Sequence, residues 1–156
     1  MPKKSDPLNK KRYPAVSATV VVSDLKAAVS FYQKAFGFKK RFLAKGPDGK
    51  AMHAELALRG SVLMLGPESA QWGTRTPKTV GGASGSLYLY VDNVDKVVAK
   101  ALQLGATANG PVMDMFWGDR CGNIADPDGN AWNVATHQAD RTPREMKKLM
   151  LAQFGG

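Results

Sequence analysis

The fold is decided by residues 15–38, which read AVSATVVVSDLKAAVSFYQKAFGF. The β-branched run at 15–22 predicts a strand. Asp24 is a typical helix N-cap, because its side chain can accept hydrogen bonds from the first backbone N–H groups of a helix. Apolar side chains then recur on one helical face as far as Tyr32, and Gly37 is a typical helix stop. The stretch therefore predicts a strand followed by an amphipathic helix.

Three further strands are predicted after this helix, at 38–44, 51–58 and 61–65. The turn sequence Gly-Pro-Asp-Gly at 46–49 separates the first two, and Arg59-Gly60 separates the last two. Short connections of this kind join neighbouring antiparallel strands. The first repeat is therefore a βαβββ unit that ends in a meander.

The pattern recurs 69 residues later, which indicates an internal duplication. Ser17 corresponds to Ser86, and Gly60 corresponds to Gly129. The helical stripe of the first repeat becomes Val94, Val97, Val98 and Ala101. Two tandem βαβββ repeats predict an α+β fold in which a mixed, curved sheet surrounds a cleft.

The chain divides by composition into a tail, one domain and a final helix. These segments are a basic N-terminal tail at 1–12, a domain at 13–140 and a C-terminal amphipathic helix at 141–156, and the domain holds the first repeat at 15–66, a linker at 67–85 and the second repeat at 86–137. The linker is rich in Gly and Pro, so no regular element is predicted there. Its Trp72 is interpreted either as a cover for the cleft or as an anchor for the loop. Thr142 to Glu145 predict a capping box at the start of the final helix.

The formal net charge of +9 is concentrated at the two ends of the chain. Residues 1–12 carry a net +4 and residues 141–156 a net +3, which leaves 13 basic and 11 acidic residues between them. The central domain therefore gives no indication of a nucleic-acid-binding face. The chain also lacks the roughly 18 consecutive apolar residues that a membrane span needs. The apolar stripe of the final helix predicts docking on the domain itself or on a second copy of the chain.

Cys121 is the single cysteine, so no intramolecular disulfide can form. A fold that depends on packing alone is typical of a reducing compartment, and a cytoplasmic location is predicted. We interpret Cys121 as a small, half-buried strand residue, because no His or Lys lies beside it in the sequence to activate a thiolate.

Several motifs occur together with this tandem repeat. They are Ser23-Asp24-Leu25 at the first helix, Phe31-Tyr32 inside it and Asp126-Pro127-Asp128-Gly129 before the last strand. Their order resembles that of the glyoxalase, bleomycin-resistance and extradiol-dioxygenase superfamily, also called vicinal oxygen chelate proteins, over about 16–137. Further segments at 46–49, 52–56, 117–120 and 135–137 look like a bacterial glyoxalase-like branch. The resemblance implies a small-molecule ligand and a homodimer.

In metal-using members of that superfamily each repeat supplies two ligands, one from its first strand and one from its last. The resemblance places these positions at Ser17, Met64, Ser86 and Asn133. Two hydroxyls, a thioether and an amide are weak donors without charge, whereas divalent metals of this kind need imidazoles or carboxylates. We therefore expect no metal cofactor at this position.

Only two histidines are available for a relocated metal or acid–base site, His53 and His137. His53 and Glu55 share one strand face, because alternate side chains point the same way. They are interpreted as a general-base or ligand pair, or as an ordinary hydrogen-bonded strand feature. His137 ends the last strand, where a structural role is the competing interpretation.

Strand alternation predicts a ligand-binding lining. It comprises Ser17, Thr19, Met64, Ser86, Tyr88, Tyr90 and Asn133, with Trp72 from the linker and Trp117 and Arg120 from an adjoining strand. Arg120 is interpreted either as a partner for an anionic ligand or as one half of an Asp119–Arg120 pair. Neutral hydrogen-bonding groups among aromatic rings suit the holding of a ligand better than a reaction.

Three functions follow as hypotheses. The first is a metal-free protein that sequesters or carries an aromatic or amphipathic small molecule, as bleomycin-resistance proteins do. The second is a metal-dependent glyoxalase-type lyase or dioxygenase with a site near His53 and Glu55. The third is a homodimeric interaction module that uses its C-terminal helix.

Overall fold

The computed structural model describes residues 6–155, so the first five residues of the predicted N-terminal tail lie outside the described part. The chain divides into two compact units, Met1–Gly82 and Ala83–Gly156, which we call unit one and unit two. The division falls inside the predicted linker.

Within its described residues, unit one contains four strands and two helices. They are β1 (Ala18–Val22), α1 (Leu25–Phe36), β2 (Lys39–Lys45), β3 (Ala51–Leu58), β4 (Ser61–Pro67) and α2 (Pro77–Val80). The sheet has the order β1-β4-β3-β2. β1 runs parallel to β4, whereas β3 pairs antiparallel with both β4 and β2. The predicted βαβββ arrangement is confirmed.

The ends of α1 follow from the residues that flank it. The Asp24 carboxylate accepts a hydrogen bond from the backbone N–H of Ala27, as an N-cap should. Gly37 ends the helix in the left-handed conformation with φ 79°, which costs glycine little. Tyr32 is fully buried and packs edge-on against Phe31 and Phe38. This aromatic cluster fixes α1 on the sheet and leaves the other sheet face available.

Over its described residues unit two repeats this plan, with two short strands in place of the single strand β2. Its elements are β5 (Ser86–Tyr90), α3 (Val94–Gln103), β6 (Thr107–Ala108), β7 (Met113–Asp114), β8 (Asp119–Ala125), β9 (Ala131–His137) and α4 (Pro143–Phe154). The order is β5-β9-β8-β6, and β7 also pairs with β8. β5 is parallel to β9, and β8 is antiparallel to β9. Two mixed sheets and the final helix give the α+β fold that the sequence predicts.

The register of the sheets confirms the 69-residue repeat. Thr19 pairs with Met64 in unit one, and Tyr88 pairs with Asn133 in unit two. The same offset therefore relates both partners of each pair.

Three boundaries differ from the sequence prediction. β1 begins at Ala18 rather than Ala15, and β4 continues to Pro67 rather than ending at Leu65. The linker, predicted to lack regular structure, contains the single turn α2, because Thr76 caps its N-terminus and Pro77 has a φ suited to the first helical position.

The predicted final helix is present as α4. Thr142 and Glu145 form the predicted capping box, in which each residue's side chain accepts a hydrogen bond from the other's backbone N–H. None of the helices in the described residues is long and apolar enough to cross a membrane.

Candidate functional site

The face of the unit two sheet that lies opposite α3 carries a group of polar and aromatic side chains. Tyr88 and Asn133 are paired on neighbouring strands, and Asn133 is also paired with Asn123. Alternation places Ser86 and Tyr90 on the same face. Their neighbours on the other face, such as Val134, are buried. The structure therefore brings the predicted residues of β5 and β9 together.

A pocket of about 360 Å³ opens on this face. Its lining residues are Tyr88, Asn109, Gly110, Pro111, Met113, Met115, Trp117, Cys121, Asn123 and Asn133. Aromatic rings and thioethers supply apolar contact surface, and three carboxamides supply the polar groups. None of these lining residues carries a charge. The volume lies near the lower end of the range that small-molecule sites occupy.

Three carboxamides form a continuous chain of hydrogen bonds, which we call the amide row. Asn109 Nδ2 donates to Asn123 Oδ1 at 2.7 Å, and Asn123 Nδ2 donates to Asn133 Oδ1 at 2.8 Å. Asn133 Nδ2 donates in turn to Ser86 Oγ at 2.7 Å. The row fixes the orientation of the three amides, since Asn109 donates to Asn123 and the carbonyl oxygens of Asn123 and Asn133 each accept from the preceding residue.

A second cluster, which we call the Asp119 cluster, lies at the other end of β8. Asp119 is 1% exposed, and its Oδ2 accepts from Tyr88 Oη at 2.8 Å, Tyr90 Oη at 2.9 Å and Trp117 Nε1 at 3.0 Å. Its Oδ1 lies 2.8 Å from His137 Nδ1. One buried carboxylate thus holds two side chains that line the pocket, Tyr88 and Trp117.

Opposing effects act on the pKa values of the Asp119 cluster. Burial raises the pKa of Asp119, but the hydrogen bonds from His137, Tyr88, Tyr90 and Trp117 together outweigh burial and hold that pKa below its usual value. Burial and the hydrogen bond to Asp119 raise the pKa of Tyr88 well above its ordinary value. The carboxylate therefore stays ionised while Tyr88 stays protonated.

The turn before β8 sets the position of Trp117. Gly118 has φ 102°, and a Cβ there would lie 1.9 Å from the Ala139 carbonyl oxygen, so only glycine fits. The helix α4 supports the same turn, because Gln153 Oε1 accepts from the Phe116 backbone N–H at 3.1 Å. The ring of Phe154 also packs edge-on against Phe116. The predicted docking of the final helix on its own domain is present at these contacts.

Both ring nitrogens of His137 face carboxylates. Nδ1 lies 2.8 Å from Asp119 Oδ1, and Nε2 lies 3.1 Å from Asp140 Oδ1. An ionised carboxylate only accepts hydrogen bonds, so both contacts are satisfied together when the ring carries two protons. The hydrogen bond to Asp119, followed by that to Asp140, raises the pKa of His137.

We expect His137 to make stability depend on pH. Because the pKa of His137 is raised in the folded state, its stabilising contribution is fully present below the unfolded value of about 6.5 and is lost as pH rises through the folded value. The melting temperature of the wild-type protein should therefore fall over that interval, and the fall should be smaller in His137→Gln. Thermal denaturation at closely spaced pH values measures it. Gln138→Ala, which changes an exposed neighbouring side chain, is the control and should keep the wild-type fall in melting temperature. If the melting temperatures of His137→Gln and Gln138→Ala fell equally with pH, His137 would not be the group that makes stability depend on pH.

Cys121 is half-buried in β8, as the sequence predicts. Burial is the largest influence on the thiol and raises the pKa of Cys121. Cys121 therefore remains a neutral thiol in the pocket wall.

Arg120 lies on the opposite face of β8 from Asp119 and Cys121. Its Nε and Nη2 donate to the two carboxylate oxygens of Asp95 at 2.8 and 2.9 Å, and its Nη1 donates to Asp114 at 3.2 Å. The proposed Asp119–Arg120 pair is wrong, because strand alternation turns the two side chains to opposite faces. Arg120 does not belong to the set of residues that line the pocket.

The remaining predicted site residues belong to unit one. Met64 is half-buried on β4 and is paired with Thr19 on one side and Glu55 on the other. Ser17 precedes β1 and is half-buried. Trp72 lies in the linker and is 77% exposed. That these residues contact a ligand stays a prediction.

Glu55 in unit one is a second buried carboxylate, with 3% of its surface exposed. Tyr13 Oη donates to its Oε1 at 2.7 Å, and Arg41 Nη1 lies 3.4 Å from its Oε2. His53 Nε2 lies 3.5 Å from Oε1. The Arg41 guanidinium also lies 4.7 Å from the centre of the Tyr13 ring. Glu55 is therefore held by a cation and a phenol, as in a structural ion pair.

The side chains at the expected ligand positions and around Glu55 do not suit the divalent metal that metal-using members of the superfamily bind. At the four expected positions the donors are two hydroxyls, a thioether and an amide, and Ser86 and Asn133 are hydrogen-bonded to each other. Around Glu55 the nearest charged partner is Arg41, which would repel a cation. Within residues 6–155, no group of three or more His, Cys, Asp and Glu side chains is placed to hold a metal ion.

Asn109, Asn123 and Asp119 were not among the site residues predicted from the sequence. Alternation from Cys121 along β8 would have put Asn123 and Asp119 on the pocket face, since each lies two residues from Cys121. Asn109 is brought to Asn123 by β6, a two-residue strand with no sequence signal of its own.

Several known proteins are similar to this chain. An uncharacterised protein of Mycobacterium bovis is 36% identical over 146 residues, which cover 92% of this chain and 96% of that protein. The structure of a gene product of Arabidopsis thaliana matches with a TM-score of 0.65 at 26% identity, over 79% of this chain and 98% of that one. The structure of TioX from Micromonospora sp. ML1 matches with a TM-score of 0.60 at 25% identity, over 78% and 97%.

A match to a protein-family model identifies the family of this chain. Residues 15–134 match the model of the Glyoxalase/Bleomycin resistance protein/Dioxygenase superfamily, which is well over half of the chain. The resemblance inferred from the sequence motifs is thereby confirmed. The chain belongs to the glyoxalase, bleomycin-resistance protein and dioxygenase superfamily.

Proposed function

We propose that this protein binds an aromatic or amphipathic small molecule without a metal ion and holds it in the pocket of unit two. The observation that carries the proposal is the composition of the pocket wall. Tyr88 and Trp117 offer ring surfaces, Met113 and Met115 offer adaptable thioethers, and none of the lining residues is charged. Such a wall favours the burial of an apolar, flat ligand.

The polar groups near the pocket favour holding over reacting. A nucleophile needs a lowered pKa or an adjacent base, whereas burial raises the pKa of Cys121. A general base needs a free lone pair directed at the substrate, whereas Asp119 already accepts four hydrogen bonds. These groups organise the wall and leave no activated residue facing the pocket.

The donor chemistry supports the metal-free part of the proposal. Ser86 and Asn133 satisfy each other, and Met64 is a soft thioether. A relocated site at His53 and Glu55 is not supported, because Arg41 and Tyr13 already neutralise and hydrogen-bond the carboxylate.

A thermal-shift screen tests the proposal. Neutral aromatic compounds present at about 100 times their Kd should stabilise the protein by about 2.7 kcal/mol, which corresponds to a rise in melting temperature of roughly 5–10 °C. The same screen on Trp117→Ala, which removes part of the wall, should lose most of the shift. Stoichiometric metal in the purified protein, together with turnover that disappears on chelation, would contradict the proposal.

The homodimer and the cytoplasmic location remain predictions and form part of this proposal. Exposed apolar side chains on α4, among them Leu151 and Phe154, support a contact with a second copy. The single half-buried thiol supports a reducing compartment.

A further inference from the structure

The amide row gives the pocket a directional polar wall. A carboxamide has two N–H groups and a carbonyl oxygen with two lone pairs. Within the row Asn123 uses one N–H on Asn133 and one lone pair on Asn109. Asn133 uses one N–H on Ser86 and one lone pair on Asn123. Each of these two amides therefore keeps one N–H and one lone pair for a ligand.

The remaining groups alternate along the row. Asn123 and Asn133 are directly opposite each other on antiparallel strands, which lie about 4.8 Å apart. In order, these groups are the carbonyl oxygen and N–H of Asn123 and then the carbonyl oxygen and N–H of Asn133. A ligand edge that runs from Asn123 Nδ2 to Asn133 Nδ2 thus meets an N–H, a carbonyl oxygen and a second N–H in turn. The complementary edge is a carbonyl, an N–H and another carbonyl. That sequence of groups is found in a cyclic imide, and a lactam provides part of it.

The other walls restrict the ligand further. Tyr88 and Trp117 are held by Asp119, so their positions are fixed before a ligand arrives. Fixed rings favour a flat ligand, because stacking then needs no rearrangement of the wall. Since none of the lining residues is charged, an ionic ligand would lose its hydration without a counter-charge. The wall therefore favours a neutral, planar compound.

From these features we infer that the pocket selects neutral, planar heteroaromatic ligands whose edge is a cyclic imide or lactam, read by the amide row. This inference rests on the proposed function and narrows it to a class of ligand. The groups that read the edge are the side chains of Asn123 and Asn133, and Asn109 and Ser86 hold them in their orientation.

The amide row belongs to unit two alone. In unit one the register position of Asn133 is occupied by Met64, and that of Asn123 is occupied by Glu55. A thioether and an ion-paired carboxylate do not provide the alternating N–H donors and carbonyl acceptors of the amide row. Selection by an imide edge is therefore a property of the second repeat, which has diverged from the first at these positions.

Two three-ring probes test the inference because they differ mainly at the edge. Lumichrome carries a cyclic imide edge, and 2,3-dimethylphenazine is a flat, neutral ring system of similar size without carbonyl groups. Equilibrium dialysis with absorbance detection gives both dissociation constants on wild-type protein. We expect lumichrome to bind at least tenfold more tightly, as two added hydrogen bonds at a prepared edge allow.

The Asn133→Leu variant should reduce this preference to about twofold or less by weakening lumichrome alone. Thr107→Ala, on β6 of the same sheet and outside the pocket lining, is the control and should keep the wild-type preference. Circular dichroism melting establishes that both variants are folded, and Asn123→Leu provides a second variant if Asn133→Leu is not.

The failure of the inference differs from the failure of the proposed function. If folded wild-type protein binds both probes with equal affinity, or if folded Asn133→Leu keeps the tenfold preference, the edge inference is overturned and the binding function stands. If folded wild-type protein binds neither probe, and no compound in the thermal-shift screen raises its melting temperature, the proposed binding function itself is wrong.

Discussion

Replacing Asp119 by alanine is expected to lower the free energy of unfolding by about 2–3 kcal/mol, because four hydrogen-bond donors lose a buried, ionised acceptor. The two tyrosines are half-exposed and can turn to water, which limits the loss. Trp117 Nε1 also donates to Tyr88 Oη at 3.2 Å, and His137 Nε2 lies 3.1 Å from Asp140 Oδ1, so neither residue loses every partner. Urea denaturation measures the change as a lower midpoint with an unchanged slope.

Asp140→Ala is the matched control for this substitution. Asp140 also contacts His137, but its side chain is fully exposed. Its replacement should leave the urea midpoint unchanged within error. Asp119→Asn keeps the size of the side chain and one acceptor oxygen, so its effect should fall between those of the two alanine variants. Equal midpoints for Asp119→Ala and Asp140→Ala would show that the Asp119 cluster does not stabilise the fold.

The architecture was predictable because it depends on local signals that recur. Asp24 and Gly37 bound α1 as expected, and the 69-residue offset appears again in the pairing of Thr19 with Met64 and of Tyr88 with Asn133. Capping residues act within one turn of chain, so their effect can be inferred from neighbouring letters. A repeat adds independent evidence, since each half predicts the other.

The Asp119 cluster was not predictable in the same way. Its donors come from β5, β9 and the turn before β8, and Tyr88 lies 31 residues away from Asp119 in the chain. A carboxylate is rarely buried unless it has partners, and sequence spacing alone does not reveal partners that meet through tertiary structure. The same reason explains why the ion pair of Arg120 was not predicted. Its partner Asp95 lies on α3, 25 residues earlier in the chain.

The short helix α2 shows a different kind of omission. Thr76-Pro77 is a local helix-start signal, and it lies in a linker whose Gly and Pro content suggested irregular structure. Composition over a 19-residue segment averaged out a signal that occupies two residues. The Thr76-Pro77 dipeptide, considered by itself, predicts the helical turn.

The two repeats have kept the sheet and changed the groups on its open face. Unit one places Glu55 beside Arg41 and Tyr13 on that face, whereas unit two places neutral amides there. An ion pair of this kind competes with a ligand for the same polar atoms. A neutral row retains hydrogen-bonding capacity, which supports the proposal that unit two binds the ligand.

Trp117→Ala is expected to weaken the binding of both three-ring probes by about 30-fold, which corresponds to roughly 2 kcal/mol for the loss of an aromatic anchor. The ring face contacts a flat ligand whatever its edge chemistry, so lumichrome and 2,3-dimethylphenazine should lose affinity by the same factor. Asn133→Leu should instead affect lumichrome alone. The two variants therefore separate the contribution of the wall from that of the amide row.

Trp117→Phe distinguishes the ring surface from the hydrogen bond to Asp119. Phenylalanine keeps a flat ring but cannot donate to the carboxylate, so we expect about a fivefold loss of affinity, between wild type and Trp117→Ala. Equilibrium dialysis of the same two probes measures both variants. If Trp117→Ala bound both probes as tightly as wild type, Trp117 would not be part of the wall. The ligand would then have to be held by Tyr88 and the methionines, whose side chains complete the apolar lining.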